Sequence, residues 1–126
     1  MKPQLIIVLT LLLLVTSCKK LDNISFNDNP YDKDYDGPRV VKIDTITTEF
    51  GVGVKNKIYY TKSFDNNDGI RLYRNGFLLT TQYNSVIHSV DIPDSSPTSG
   101  VTYTYEVRLF LGSGETSSEP FSYTTP

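Results

Sequence analysis

The stretch Ile70-Arg71-Leu72-Tyr73-Arg74-Asn75-Gly76-Phe77-Leu78-Leu79 decides the fold of this chain. Two runs rich in branched and aromatic residues flank the dipeptide Asn75-Gly76, which is the strongest short-range signal for a β-hairpin with a two-residue turn. Both central residues of such a turn need a positive φ, which asparagine and glycine adopt more readily than other residues. The sequence therefore predicts two antiparallel strands joined at residues 75 and 76.

Apolar and polar residues alternate on both sides of this hairpin from residue 39 onward, as they do in half-buried strands. The apolar positions before the hairpin are Val41, Ile43, Ile46, Val52, Val54, Ile58 and Tyr60. After it, Gly112-Ser113-Gly114 lies between residues 103–111 and 121–125 and indicates a second hairpin. No stretch of this region has a helical period. We therefore predict an all-β domain, a single antiparallel sandwich of about seven strands.

Residues 38–126 resemble a fibronectin type III domain of bacterial type, which is an immunoglobulin-like sandwich. The resemblance is carried by Ile58-Tyr59-Tyr60 as strand B, by residues 69–76 as strand C with its turn, by residues 100–107 as strand F, and by Gly114-Glu115-Thr116-Ser117 as the F–G turn. It implies that the Tyr103 hydroxyl bonds to backbone a few residues upstream, as in a tyrosine corner.

The same resemblance implies the composition of the core. Tyr60 stands where these domains usually have a tryptophan, and the chain contains no tryptophan. The face of strand F is expected to pack on strands B and C, through Tyr105, Val107 and Leu109 against Ile58, Tyr60, Ile70 and Leu72.

The N-terminus has the layout of a secretory signal. Lys2 supplies a positive charge, and residues 5–15 form an apolar core that is shorter than the roughly 20 residues of a membrane span. Val15-Thr16-Ser17-Cys18 resembles a bacterial lipobox. This resemblance implies that residues 1–17 are a signal peptide and that Cys18, the only cysteine, is acylated and holds the protein at the cell envelope, in the outer membrane. The alternative is a plain signal peptide that leaves a free thiol.

An acidic segment follows the cysteine. Between residues 22 and 36 there are five aspartates and one lysine, so residues 18–37 are predicted to be a flexible, disordered tether, similar to the linkers of many Bacteroidota lipoproteins. Asp32, Asp34 and Asp36 also copy the start of a calcium-binding loop, but Ile43 stands where that loop needs a glutamate. A solvated linker is therefore the expectation, and calcium binding is the alternative.

The sequence gives little sign of catalysis. His88 is the only histidine, and no serine lies in a Gly-x-Ser-x-Gly motif. The net charge of −2 argues against a basic patch for nucleic acid. We therefore predict no catalytic residues, no cofactor and no nucleic-acid partner, and we expect the protein not to be an enzyme.

Exposed aromatic residues are the candidates for a binding surface. Strand alternation directs Tyr59 and Tyr73 outward, and Phe77 and Tyr83 flank the next turn or strand. Such side chains can anchor a protein interface, stack on sugars, or simply pack across strands. Two functions follow as hypotheses: a non-catalytic module that binds another envelope protein, or a carbohydrate-binding accessory lipoprotein of a glycan-uptake system. The second expects the four aromatics to form one exposed platform.

Overall fold

The computed structural model describes residues 28–85 and 90–126. Within these residues, all of the regular secondary structure is β-strand. Cys18, residues 1–17, which the sequence predicts to be a signal peptide, and His88 lie outside these residues. The strands are β1 (Val41–Gly51), β2 (Gly53–Lys62), β3 (Gly69–Arg74), β4 (Phe77–Tyr83), β5 (Asp91–Asp94), β6 (Thr102–Leu111), β7 (Gly114–Ser117) and β8 (Phe121–Thr124). Across the described residues there is no helix that is long and apolar enough to cross a membrane.

Two antiparallel sheets form the domain, and the core lies between them. One sheet has three strands in the order β1-β2-β5, and the other has the order β4-β3-β6-β7, with β8 also paired to β6. The prediction of an all-β antiparallel sandwich is confirmed. The described strands number eight because the last one is interrupted: β7 and β8 pair with different parts of β6.

The interruption has a local cause at residues 118–120. Ser118 is buried and bonds twice to Val107 of β6, since its amide donates to the Val107 carbonyl (2.9 Å) and its hydroxyl accepts from the Val107 amide (3.1 Å). Pro120, two residues later, has no amide hydrogen to donate to a ladder. The chain therefore bulges here before it pairs again from Phe121 onward.

The hairpin at Asn75-Gly76 forms as predicted. Arg74 pairs with Phe77 across a two-residue loop, and φ is +51° at Asn75 and +81° at Gly76. The Asn75 side chain also accepts a hydrogen bond from the amide of Thr104 (2.9 Å), which ties the turn to β6.

The second hairpin is tighter than predicted. Its turn is Gly112-Ser113 alone, because Leu111 already pairs with Gly114. Residues 114–117, expected to be the F–G turn, instead form β7, so that part of the prediction is wrong. Gly112 has φ +56°, and this conformation closes the loop in two residues and leaves the next four free to pair with β6.

The core contains the side chains expected from the sequence. Ile58, Tyr60, Ile70, Leu72, Tyr105, Val107 and Leu109 are all buried in one cluster, with Val40, Val41, Ile46 and Ile92. A bulge between Ile43 and Thr45 accounts for the three-residue spacing from Ile43 to Ile46. Val52 was expected to be an apolar strand position, but it lies at the tip of the β1–β2 hairpin and is fully exposed.

Candidate functional site

The four predicted aromatic residues do not form one platform. Tyr59 lies on β2 of the three-stranded sheet, whereas the other three belong to the five-stranded sheet. Phe77 and Tyr83 are the first and last residues of β4, so roughly 20 Å of strand separates them. Tyr73 is half-buried, and its hydroxyl donates to Glu115 (3.0 Å). The geometry that a sugar-stacking platform requires is therefore not present in these residues.

Tyr103 and Tyr60, the two tyrosines with predicted structural roles, are held by the fold in different ways. The Tyr103 hydroxyl accepts a hydrogen bond from the amide of Thr98, five residues upstream (3.0 Å), and this bond lowers the pKa of Tyr103. Tyr60 lies in the core, where burial, and to a smaller extent Asp91, raises the pKa of its hydroxyl. Neither side chain is presented to a ligand.

The acidic segment does not gather its carboxylates around a point. Asp32 accepts a hydrogen bond from the amide of Asp34 (2.9 Å), and Asp34 lies 3.8 Å from Lys33, with both charged groups well exposed. Across residues 28–85 and 90–126, no group of three or more acidic, histidine or cysteine side chains is placed to hold a metal ion. Asp32, Asp34 and Asp36 thus give no calcium site in the described structure.

A network of paired charges covers the outer face of the five-stranded sheet. We call it the outer-face network, and it consists of Arg71, Tyr73, Glu106, Arg108 and Glu115. Glu115 is its centre, because it accepts hydrogen bonds from Arg71, from Arg108 (3.0 Å) and from Tyr73. Partial burial raises the pKa of Glu115, but these hydrogen bonds outweigh it, so the net pKa lies below the ordinary value.

The two arginines of this network also lie over aromatic rings. The Arg108 guanidinium is 3.9 Å from the Tyr73 ring centre, and the Arg71 guanidinium is 4.1 Å from the Phe110 ring centre. Arg108 is paired on its other side with Glu106 (3.0 Å). Because its charges are paired within the network, and among its buried side-chain atoms in the described structure only the Nε of Arg71 lacks a hydrogen-bond partner, this face stabilises the sheet and offers little unpaired charge to a ligand.

A second polar network lies inside the sandwich, between the two sheets. We call it the inner network, and it consists of Asn56, Arg74, Asp94, Tyr105 and Thr125. The Asn56 amide donates to Tyr105 (3.0 Å) and Thr125 (2.9 Å). The Tyr105 hydroxyl donates to Asp94 (2.7 Å), and Arg74 donates to the same carboxylate (2.9 Å).

The buried groups of the inner network are satisfied, and of its five residues only Arg74, whose side chain is 21% exposed, reaches the surface. Asn56 and Tyr105 have no exposed surface. Burial and the neighbouring Asp94 raise the pKa of Tyr105 well above its ordinary value, even though the bond from Asn56 lowers it. The Tyr105 hydroxyl therefore stays protonated and acts as a structural donor to Asp94, not as an acid or base.

The N-terminal segment meets the domain at one end, which we call the entry end. The Tyr31 ring packs edge-on against Phe64 (5.8 Å between ring centres), and its hydroxyl donates to the carbonyl of Asn66 (2.8 Å). Tyr31 also lies against Gly114, at the start of β7. The segment is thus seated beside the β2–β3 connection and the β6–β7 turn.

The opposite end of the sandwich carries the turns of the β1–β2 and β3–β4 hairpins. They share an end because Arg74, the last residue of β3, binds Asp94, which pairs with Asn56 near the β1–β2 turn. Since β1 runs from Val41 to Gly51, this end is roughly 30 Å from the entry end.

Four large apolar side chains are exposed here, and we call this surface the apolar end: Phe50 (66% exposed), Val52 (114%), Phe77 (77%) and Leu78 (51%). Sequence reasoning found only Phe77 among them. A signal for Val52 was available, because Gly51 and Gly53 bracket it and a glycine pair marks a turn that would expose the residue between them.

Comparison with protein-family models, with curated proteins and with solved structures gave no match.

Proposed function

We propose that this protein is a lipid-anchored cell-envelope protein of the outer membrane, and that its sandwich is a non-catalytic module that binds another envelope protein through the apolar end. The observation that carries the proposal is the difference between the two ends of the domain. The chain leads in at one end, and the exposed apolar side chains lie at the other.

This arrangement suits a module displayed from a surface. If Cys18 carries the lipid, twelve residues separate it from Tyr31, and a tether of this length reaches at most about 45 Å. The entry end would then face the membrane and the apolar end would face away from it. Exposed aromatic and aliphatic side chains on a soluble surface are typical of protein interfaces.

The strand order supports the fibronectin type III-like part of the proposal. The first, second and fifth strands form one sheet, and the third, fourth and sixth lie in the other. Domains of this architecture serve many unrelated functions, so the fold alone does not name the partner. A non-catalytic role is supported by the two polar networks, whose charged and hydroxyl groups form hydrogen bonds with one another.

The anchor is tested on the full chain by membrane fractionation and intact mass measurement. Wild-type protein should lack residues 1–17, carry the mass of two or three acyl chains, and sediment with membranes. Cys18→Ala should abolish both the acyl mass and normal maturation. Unacylated wild-type protein would show that this part of the proposal is wrong.

The binding surface is tested by photo-crosslinking in cells, with a benzoylphenylalanine placed at Phe50 or Val52. Tyr83 provides the matched control, since it is also exposed (55%) but ends β4 on the side away from the apolar end. We expect one envelope protein to be captured from positions 50 and 52 and not from position 83. Equal capture from all three positions, or none from any, would contradict binding through the apolar end.

A further inference from the structure

The segment that leads into the domain contacts both ends of β7. This strand pairs with β6 on one side, and no described strand pairs with its other side. An exposed strand edge offers unpaired backbone groups to which another strand can add, and proteins often cover such an edge with a loop. Residues 29–39 are the loop that reaches this edge, and we call them the strap.

The first contact of the strap is Tyr31, at the Gly114 end of β7. A methyl group on Gly114 would lie 2.9 Å from the Tyr31 Cβ, so only a glycine leaves room for Tyr31 here. The preceding residue, Pro30, is buried. The ring of Phe64 and the carbonyl of Asn66 complete the surroundings of the Tyr31 side chain. This end of the strap is therefore held by packing and by one hydrogen bond.

The second contact is Arg39, at the other end of β7. Its guanidinium donates to the carbonyl of Ser117 (2.8 Å) and pairs with the exposed Glu119. The Ser118 amide donates to Val107 of β6, and backbone groups alternate in direction along a strand, so the Ser117 carbonyl points away from β6. Arg39 thus takes a hydrogen-bond position that a neighbouring strand would use.

Between these two contacts the strap is held loosely. Residues 32–34 and 36–38 are exposed, and the described hydrogen bonds of this stretch stay within the strap, such as that from the Tyr35 hydroxyl to the Pro38 carbonyl (2.8 Å). A cleft of about 480 Å³ is lined by the strap and by residues 115–117. Segments with few buried contacts open at a lower free energy than the whole domain. Because the strap precedes β1, it can open without breaking any strand pairing.

We propose that the strap is a releasable cover of the β7 edge. While it is closed it keeps a further strand from this edge, and it opens by local unfolding while the sandwich stays folded. Any strand that adds to β7 has first to displace Arg39 from the Ser117 carbonyl. This inference rests on neither the lipid anchor nor the apolar end, since the contacts that carry it lie within residues 29–39, 64–66 and 114–119.

Thiol labelling of the full chain, solubilised in detergent, measures whether the strap covers β7. Thr116→Cys is the reporter, because Thr116 lies on the same face of β7 as Gly114 and lines the cleft. Thr81→Cys is the control reporter, since Thr81 is also half-buried but lies on β4, at the far edge of the same sheet. The measured quantity is the rate of modification by a maleimide linked to polyethylene glycol. The wild-type chain reports any reaction of Cys18.

Tyr31→Ala removes the first contact and should open the strap. We expect labelling at position 116 to become about tenfold faster, because a lost hydrogen bond and ring contact raise the open fraction, while labelling at position 81 stays unchanged. If this variant unfolds, both rates rise, and Gly114→Ala then decides, because its methyl group meets Tyr31 from the side of β7. Gly51→Ala is the matched control, since a methyl group there has no neighbour within 4 Å.

Three results would overturn the proposal, and circular dichroism identifies the folded variants to which they apply. The first is a Thr116→Cys chain that reacts as fast when folded as it does in urea. The second is a folded Tyr31→Ala variant in which the ratio of the two labelling rates is unchanged. The third is a Gly51→Ala variant that raises the rate at position 116 as much as Gly114→Ala does.

Discussion

The inner network and the outer-face network are built from the same kinds of groups but lie in different surroundings. Each has a carboxylate that binds an arginine and a tyrosine hydroxyl: Asp94 in the inner network and Glu115 in the outer-face network. The side chain of Asp94 is 1% exposed and that of Glu115 is 22% exposed. The comparison therefore separates what a charged hydrogen bond contributes from what its surroundings contribute.

The difference in burial predicts a difference in consequence. When one partner of a buried pair is removed, the remaining groups stay desolvated and unpaired, and they have no water to replace the lost bond. At a half-exposed site, water replaces much of what is lost. Loss of the inner carboxylate should thus destabilise the sandwich more than loss of the outer one, although the outer carboxylate accepts bonds from three side chains.

Asp94→Ala should have the largest effect. It leaves the Tyr105 hydroxyl without its acceptor, and it leaves Arg74 with the carbonyl of Ser96 (3.1 Å) and the ring of Tyr103 (4.7 Å) as its described partners. We expect a loss of about 3 kcal/mol in the free energy of unfolding, measured by urea denaturation. Glu119→Ala is the matched control, since Glu119 forms an exposed pair with Arg39 and should cost less than about 0.5 kcal/mol. Equal losses would remove the distinction between buried and exposed pairs.

Tyr105→Phe tests the same network without the removal of a charge. The hydroxyl donates to Asp94 and accepts from Asn56, so two buried groups each lose a partner while the ring still fills the core. We expect a loss of about 2 kcal/mol.

Tyr103→Phe provides the comparison for this substitution, because the Tyr103 hydroxyl makes one bond, to the exposed amide of Thr98. Its expected cost is about 1 kcal/mol or less. A larger loss from Tyr103→Phe than from Tyr105→Phe would mean that the β5–β6 connection, and not the inner network, determines stability.

The sequence predicts the local elements of this fold better than it predicts either network. Asn75-Gly76 specifies its hairpin because turn chemistry acts over two residues, and the alternation of Ile70, Leu72, Val107 and Leu109 specifies a core face. The outer-face network joins Arg71 to Glu115 across 44 positions, and only the pairing of β3, β6 and β7 brings them together. No pattern of residue spacing in the sequence predicts this contact between Arg71 and Glu115.

The same limit explains the errors. Residues 114–117 have a composition that suits a turn, but their pairing with β6 makes them a strand. Strand alternation predicts the outward direction of Tyr59 and Tyr73, yet which sheet receives each strand is a property of the whole topology. Tyr59 is therefore separated from the others although its outward direction follows from sequence.

Glu115→Gln should have a smaller effect than either inner substitution. The amide keeps the shape of the carboxylate but loses the charge that binds Arg71 and Arg108. Because the site is partly hydrated, we expect a loss of about 1 kcal/mol at neutral pH, again by urea denaturation. Glu119→Gln, at an exposed glutamate, should change stability by less than about 0.5 kcal/mol. A loss that matches that of Asp94→Ala would show that hydration does not moderate the outer-face network.

The stability difference between wild type and Glu115→Gln should also depend on pH. This dependence is the smallest effect expected here, and it is the most specific to the outer-face network. The folded pKa of Glu115 lies below its unfolded value, because hydrogen bonds from Arg71, Arg108 and Tyr73 outweigh the opposing effect of partial burial. A lowered pKa contributes stability that is fully present above the unfolded value, near 4.3, and that is lost as the pH falls through the folded value. The stability difference between wild type and Glu115→Gln should therefore be constant from pH 7 to about 5.5 and should shrink between pH 5 and 3. Urea midpoints across this range measure it, and a difference that persists undiminished at pH 3 would assign the effect to lost shape or packing and not to the charge of Glu115.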